Sequence, residues 1–338
     1  MYTIHYTLPL LIIFQFTSHA LQTCSHLPSR IHHKHPIIVF HHTKKCGGWT
    51  IHNYFSHLMY TQKNNSCQHN LNDWRCSMHY FEDTSPSKQC DAFGSLIRSS
   101  YEFTQVERPV LPRQVFPPEI TFITMLRQPI ERVVSSYRMA RNLYKNDPNW
   151  NMKKWLTHES IPRTLHQTSK ASHNVAKSSA TKTYTLPTLG LDENYMTKWF
   201  CGMWKPTPNL PKATEECYTR ARIHLDHFDY VFITERLAED LPLVASYLGY
   251  GNATEVKAYN IRMHDTSVGH NDLSAATNIS KGIEGIDEFS KNDGTYELAI
   301  DKNKYDILLY THALRRHCVT VRRLSLSECT KLFPVQSV

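Results

Sequence analysis

The sequence predicts an α/β fold in three layers, a central parallel sheet flanked by helices, and three stretches carry that prediction. Each is a short apolar run followed by a turn and then by apolar side chains at helical spacing. Residues 37–40 precede a helix running to Met59, residues 120–126 precede one starting at Pro129, and residues 228–233 precede one carrying Leu237, Leu241, Val244 and Leu248. Continuous apolar runs mark strands buried on both faces, and strands alternating with helices pair in parallel through crossover connections.

Taken in order, the chain opens with an apolar run at residues 8–16 ahead of Ser18-His19-Ala20. The run is about half the length that spans a bilayer, so residues 1–20 read as a signal peptide or a short anchor, 21–35 as a linker and 36–330 as one domain. The first strand ends in a turn holding Lys44, Lys45, Gly47 and Gly48, and Ile51, Tyr54, Phe55, Leu58 and Met59 then share one helical face. Backbone N–H groups of such a turn converge on one spot where the helix dipole favours an anion, and two lysines add charge there. This is a phosphate cradle without the G-x-x-x-x-G-K-[ST] order of nucleoside triphosphatases.

Residues 60–115 are polar, hold three cysteines and show little periodicity. They read as loops pinned by disulfides, with a short strand near residues 92–94. After the second strand, Arg127-Gln128-Pro129 starts a helix whose Ile130, Val133, Val134 and Tyr137 face one way. Arg127 stands where a guanidinium can grip a phosphate bidentately, and Ser135 lies two turns on. Residues near 145–190 are rich in Lys, His, Ser and Thr, the composition of a flexible polar insertion. Tyr305, Leu308, Leu309 and Ala313 mark a C-terminal helix.

Nine cysteines suit an oxidising lumen, and close spacing points to Cys201 with Cys217 and Cys318 with Cys329, leaving Cys46 free in the turn. Sequons at Asn64, Asn252 and Asn278 fit the same compartment. The secretory pathway, as Golgi lumen or secreted protein, is the expected location, with membrane contact only if the N-terminal segment is retained. A net charge of +8 attracts anions. The secretory segment argues against nucleic acid, which leaves an acidic or already sulfated glycan, the cofactor itself, or a merely solvated basic face.

The turn resembles the 5′-phosphosulfate loop of the Golgi carbohydrate sulfotransferases, a strand ending in His-x-Pro-Lys-Thr-Gly-Gly-Thr-Ser. His42, Lys45, Gly47, Gly48 and Thr50 match it, while Lys44, Cys46 and Trp49 depart. The stretch from Leu126 to Tyr137 resembles the family's 3′-phosphate motif, Leu-Arg-Asp-Pro-x-x-Arg with a later Ser and Tyr, except for Gln128 in the aspartate's place. Residues 194–202 resemble a third block, in which Met196 and Lys198 depart and Thr197 and Lys198 are implied near the site. The resemblance implies a P-loop-like fold and, as co-substrate, 3′-phosphoadenosine 5′-phosphosulfate (PAPS). It places Lys44, Lys45, Cys46, Gly47, Gly48, Trp49, Thr50, Arg127 and Ser135 around that nucleotide and makes Lys45 catalytic.

The implied reaction moves a sulfuryl group to a carbohydrate hydroxyl without a metal. It needs a base, which relatives place ahead of the Arg-Asp-Pro strand, often in a Gly-His pair. The corresponding stretch is expected at residues 91–96, where Ser95 stands in the histidine's place and cannot serve near neutral pH. His79 is the candidate taken forward, with Asp91 and Glu102 as further substitutes, none marked by a motif. A catalytically inactive relative that binds glycans or other partners is the alternative reading.

Overall fold

The innermost element is β1, Ile37–His41, in which every residue is buried. It pairs in parallel with β2, Phe103–Val106, on one side and with β3, Ile120–Leu126, on the other. The outer strand β6, Tyr230–Ile233, joins β3, so the sheet runs β2-β1-β3-β6 with all four strands parallel. The computed structural model describes residues 24, 27, 35–61, 86–98, 102–110, 114–143, 151–157, 164–167, 182–185, 193–203, 211–250, 289 and 293–333. The signal segment, His79, Cys67, Cys76 and the three sequons lie outside them.

Parallel pairing puts the C-terminal ends of all four strands on one edge, where helices begin. From β1 the chain enters α1, Gly48–Thr61; from β3 it enters α3, Pro129–Leu143; from β6 it passes a 3-10 turn, Thr234–Arg236, into α7, Leu237–Tyr247. The α/β fold with a central parallel sheet flanked by helices is thus present, and its three expected strand–turn–helix units are in place. Gly249 follows α7 in the left-handed region, φ 85°, where glycine is unstrained.

One expectation fails between β1 and β3. Residues 92–94 are not a strand but the middle of α2, Pro86–Arg98, and the strand of this region is β2, ten residues later. The physical signal was there: Cys90, Phe93, Leu96 and Ile97 are spaced for one helical face, and all four are buried. Gly94 inside that face obscured it. β2 escaped because Thr104 and Gln105 interrupt its apolar pattern.

In the polar stretch after α3 the described residues form α4, Met152–Thr157, whose Met152, Trp155 and Leu156 are buried with Val133, Val134 and Tyr137 of α3 in a second apolar cluster, and then an antiparallel pair of β4, Thr164–Gln167, with β5, Lys182–Thr185. Further on come α5, Tyr195–Phe200, α6, Glu215–Asp226, and beyond α7 the helices α8, Thr295–Lys302, α9, Lys304–Thr320, and α10, Leu326–Leu332.

Cys201 with Cys217 and Cys318 with Cys329 are disulfide-bonded as their spacing suggested, and Cys24 bonds to Cys90. Cys46 is free and buried. The first bridge joins the end of α5 to α6, and the second ties α10 to α9. Among the described residues no helix is long and apolar enough to cross a membrane.

Candidate active site

The site lies at the C-terminal edge of the sheet, where the turn after β1 wraps the start of α1. Two residues there hold positive φ, Lys45 at 64° and Gly47 at 86°. A left-handed residue reverses the local course of the chain, and Lys45 bears that strain although it has a Cβ. Gly47 has little room as well: a Cβ would sit 3.3 Å from Thr234 Cγ2. The Thr234 hydroxyl lies within hydrogen-bond reach of both the Cys46 and Leu126 carbonyls, so the 3-10 turn ahead of α7 fastens the turn after β1 to the end of β3.

Gly48 is required for a different reason. A Cβ on it would fall 1.8 Å from His42 Cδ2 and 2.0 Å from His42 Nε2, so the imidazole packs directly on the first residue of α1. Its other nitrogen is anchored, with His42 Nδ1 2.7 Å from Glu107 Oε1 and 3.0 Å from Gln105 Nε2. The backbone explains the approach, because the His42 amide donates to the Val106 carbonyl and carries the β1–β2 pairing one step past the strands.

Lys45 points the other way. Its Nζ lies 3.6 Å from Met139 Sδ on α3. Ser135 sits one turn before Met139 on the same helix face, and Glu131 one turn before that, so the α3 ridge that meets Lys45 through Met139 carries Ser135, one of the two expected 3′-side groups. Arg127, at the foot of this ridge, touches Glu131 at 3.5 Å, while its Nε is buried without a hydrogen-bond partner among the described residues. An unsatisfied guanidinium nitrogen beside a lysine is what an anion site needs. Burial, reinforced by the Arg127 charge, lowers the Lys45 pKa to about 8. Cys46, by contrast, is pushed up to about 12 by burial and packs its sulfur 3.9 Å from Met196 Sδ, so it enters the site through its backbone. Thr50 lies buried in the first turn of α1, and Trp49 occupies the same turn.

Gln128, the departure from aspartate, keeps the structural task. Its side-chain oxygen accepts from the Glu131 amide at 2.7 Å and so caps α3, while its own amide donates to Glu235 Oε1 at 2.9 Å. Tyr310 holds the other Glu235 oxygen at 3.0 Å.

Beneath the turn, α5 and α9 cap each other. Asp306 accepts the amides of Met196 and Thr197 at 3.1 and 2.7 Å, and Asn194 accepts those of Tyr305 and Asp306 at 2.8 and 3.2 Å. Thr197 and Lys198, the implied site residues of this block, are both buried in α5. Arg132 of α3 is buried against this junction, 3.9 Å from Asp306 and 5.0 Å from the centroid of the Tyr195 ring.

Of the positions considered for the base, Ser95 and Asp91 belong to α2, Ser95 beside Arg98, Glu102 precedes β2 at the opposite end of the sheet from the turn, and His79 lies outside the described residues. The strand ahead of β3 is β2, and the residue leaving its C-terminal end is Glu107, which sequence reading missed because it placed the strand too early. Burial would raise the Glu107 carboxyl, but the hydrogen bond and charge of His42, with Lys44 and Gln105, outweigh it and hold the pKa below the usual value. Glu107 is an ionised carboxylate at the mouth of the cradle.

A parallel α/β sheet whose edge brings together a lysine turn at a helix start, a buried guanidinium and a carboxylate is suited to handling an anionic group. The chain belongs to the Sulfotransferase family, whose model matches residues 29–313. No curated protein matched the sequence. Among the described residues no cluster of side chains suited to a metal ion occurs.

Proposed function

We propose that this sulfotransferase takes its sulfuryl group from PAPS and delivers it to a carbohydrate hydroxyl, with Glu107 as the proton acceptor. The observation that supports it is the convergence at one sheet edge of Lys45, Arg127 with its unsatisfied Nε, and the His42–Glu107 pair. The donor fits these residues: turn amides and Lys45 suit a 5′-phosphosulfate, while Arg127 and Ser135 suit a 3′-phosphate. Bound there, the donor supplies an activated sulfur and a phosphate leaving group.

In the reaction the sulfur–oxygen bond to the 5′-phosphate breaks and one to the acceptor oxygen forms. Lys45 neutralises the charge growing on the departing oxygen. Glu107 removes the hydroxyl proton, and His42 orients it through Nδ1. The His42 ring rests against Gly48, whereas the Glu107 side chain is 29% exposed, so the carboxylate is the partner an acceptor can reach. A lumenal, secretory setting is supported by the three disulfides.

Transfer of label from ³⁵S-PAPS to a panel of glycans tests the reading. Wild-type protein should label at least one glycan, and Glu107→Gln should lose most of that rate while still binding the 3′,5′-bisphosphate product. Product binding with no transfer to any acceptor would leave the inactive, glycan-binding alternative.

A further inference from the structure

The register of the first two strands decides what stands beside the Glu107 carboxylate. β1 and β2 pair Ile38 with Phe103 and Phe40 with Gln105, and one further step along the same register sets His42 beside Glu107. Side chains two apart along a strand share a face, so Phe103, Gln105 and Glu107 line up on one side, with Ile38, Phe40 and His42 next to them. Phe40 stacks on His42 with ring centroids 5.5 Å apart, and His52 of α1 meets Phe103 at 5.8 Å. Gln105 is thus level with one aromatic ring and next to another, where an aliphatic side chain would pack as well. Its amide supplies what an aliphatic chain lacks. Gln105 Nε2 lies 3.3 Å from Glu107 Oε1 and 3.0 Å from His42 Nδ1, while Nδ1 and Oε1 are 2.7 Å apart. An amide nitrogen only donates, so with Glu107 ionised both the imidazole and the amide direct a proton at the same carboxylate oxygen. Turned over, the amide would set its own oxygen against that charged oxygen, so the carboxylate enforces the orientation seen.

We propose that Gln105 is a positioning residue for the base: its amide holds the Glu107 carboxylate ionised and turned to His42, while itself carrying no proton that titrates. Its catalytic meaning rests on the reading of Glu107 as the proton acceptor, whereas its hold on the carboxylate is measurable without turnover. A carboxylate in this place would repel Glu107, and a second imidazole would compete for the proton; an amide does neither. The other titratable and charged groups that bear on this pair are Lys44 of the turn after β1 and His52 of α1, with Arg108, next in the chain, acting on Lys44. All of them are retained when only residue 105 is changed.

NMR of the full chain, carrying ¹³C at its glutamate carboxyls and saturated with adenosine 3′,5′-bisphosphate, tests this directly, the Glu107 resonance being the one lost in Glu107→Gln. The Glu107 titration midpoint should rise by about one pH unit in Gln105→Leu, which keeps the packing and removes the donor, and further in Gln105→Glu, which adds a like charge. Affinity for the bisphosphate should be unchanged in both variants, and the acid limb of kcat/KM should move with the midpoint. An unchanged midpoint in both variants, or a loss of bisphosphate affinity as large as the loss of activity, would overturn the assignment, the latter by showing that Gln105 only packs the turn. Midpoints that rise in this order while the acid limb does not follow would uphold the hold on the carboxylate and remove Glu107 as the base.

Discussion

At the scale of single residues, the site joins a strained lysine to an anchored carboxylate, and each makes a separate prediction about pH. Lys45 acts as an ammonium, and burial with the Arg127 charge places its pKa at about 8. The active form is therefore lost as pH rises through that value, and kcat/KM should fall above about pH 8 as the free enzyme loses the proton. On the acid side Glu107 must be ionised, and its pKa is held below the ordinary carboxylate value. Activity should persist into the acid range, measured as kcat/KM against pH with stability monitored in parallel. An acid limb near the ordinary imidazole value of about 6.5 would make an imidazole the proton acceptor instead. Glu107→Gln should cost on the order of 10²- to 10⁴-fold in kcat, the usual worth of a general base. Gln128 belongs to this scale too: since it caps α3 as an aspartate would, Gln128→Ala should cost about 1 kcal/mol in denaturant unfolding, and Gln128→Asp close to nothing.

At the scale of elements, the cradle is held from below by a junction of helix ends. Asp306 caps α5, Asn194 caps α9, and the buried Arg132 lies against both Asp306 and Tyr195. Met196 of α5 then meets Cys46 of the turn, so a shift of α5 is passed to the backbone of the turn. Removing the carboxylate strips two helix amides of their acceptor and takes a negative charge from beside the buried Arg132 guanidinium. Asp306→Ala should therefore destabilise the protein by about 3–5 kcal/mol in chemical denaturation, the penalty of breaking a buried pair from one side. Asp306→Asn keeps an acceptor for the amides but not the charge, and its smaller loss would separate capping from ion pairing. Equal stability of all three proteins would show that the junction contributes nothing to the fold.

At the scale of the whole molecule, what could be read from the sequence was what a single strand and its following helix specify. The strand–turn–helix units at Lys45 and Arg127 and the two close disulfides each depend on neighbours within about twenty residues, and they were legible. The base was not. Glu107 reaches His42 only because β2 pairs beside β1, and sixty-odd residues of polar chain give no periodicity that locates β2. The mutual capping of α5 and α9 was hidden for the same reason, since Asn194 and Asp306 lie far apart in the chain. Long-range assembly also separates two bridges that look alike locally. The Cys201–Cys217 and Cys318–Cys329 loops span 16 and 11 residues, so loop closure stabilises each by a similar amount, about 3 kcal/mol. One bridge pins α5 under the turn after β1, and the other fastens α10 to the far end of α9. Replacing either pair by serine should lower the denaturation midpoint to a similar degree. Only the Cys201, Cys217 double variant should also weaken the binding of adenosine 3′,5′-bisphosphate, measured under conditions where both variants remain folded. Equal nucleotide affinity in the two variants would show that α5 positions the turn without help from its bridge to α6.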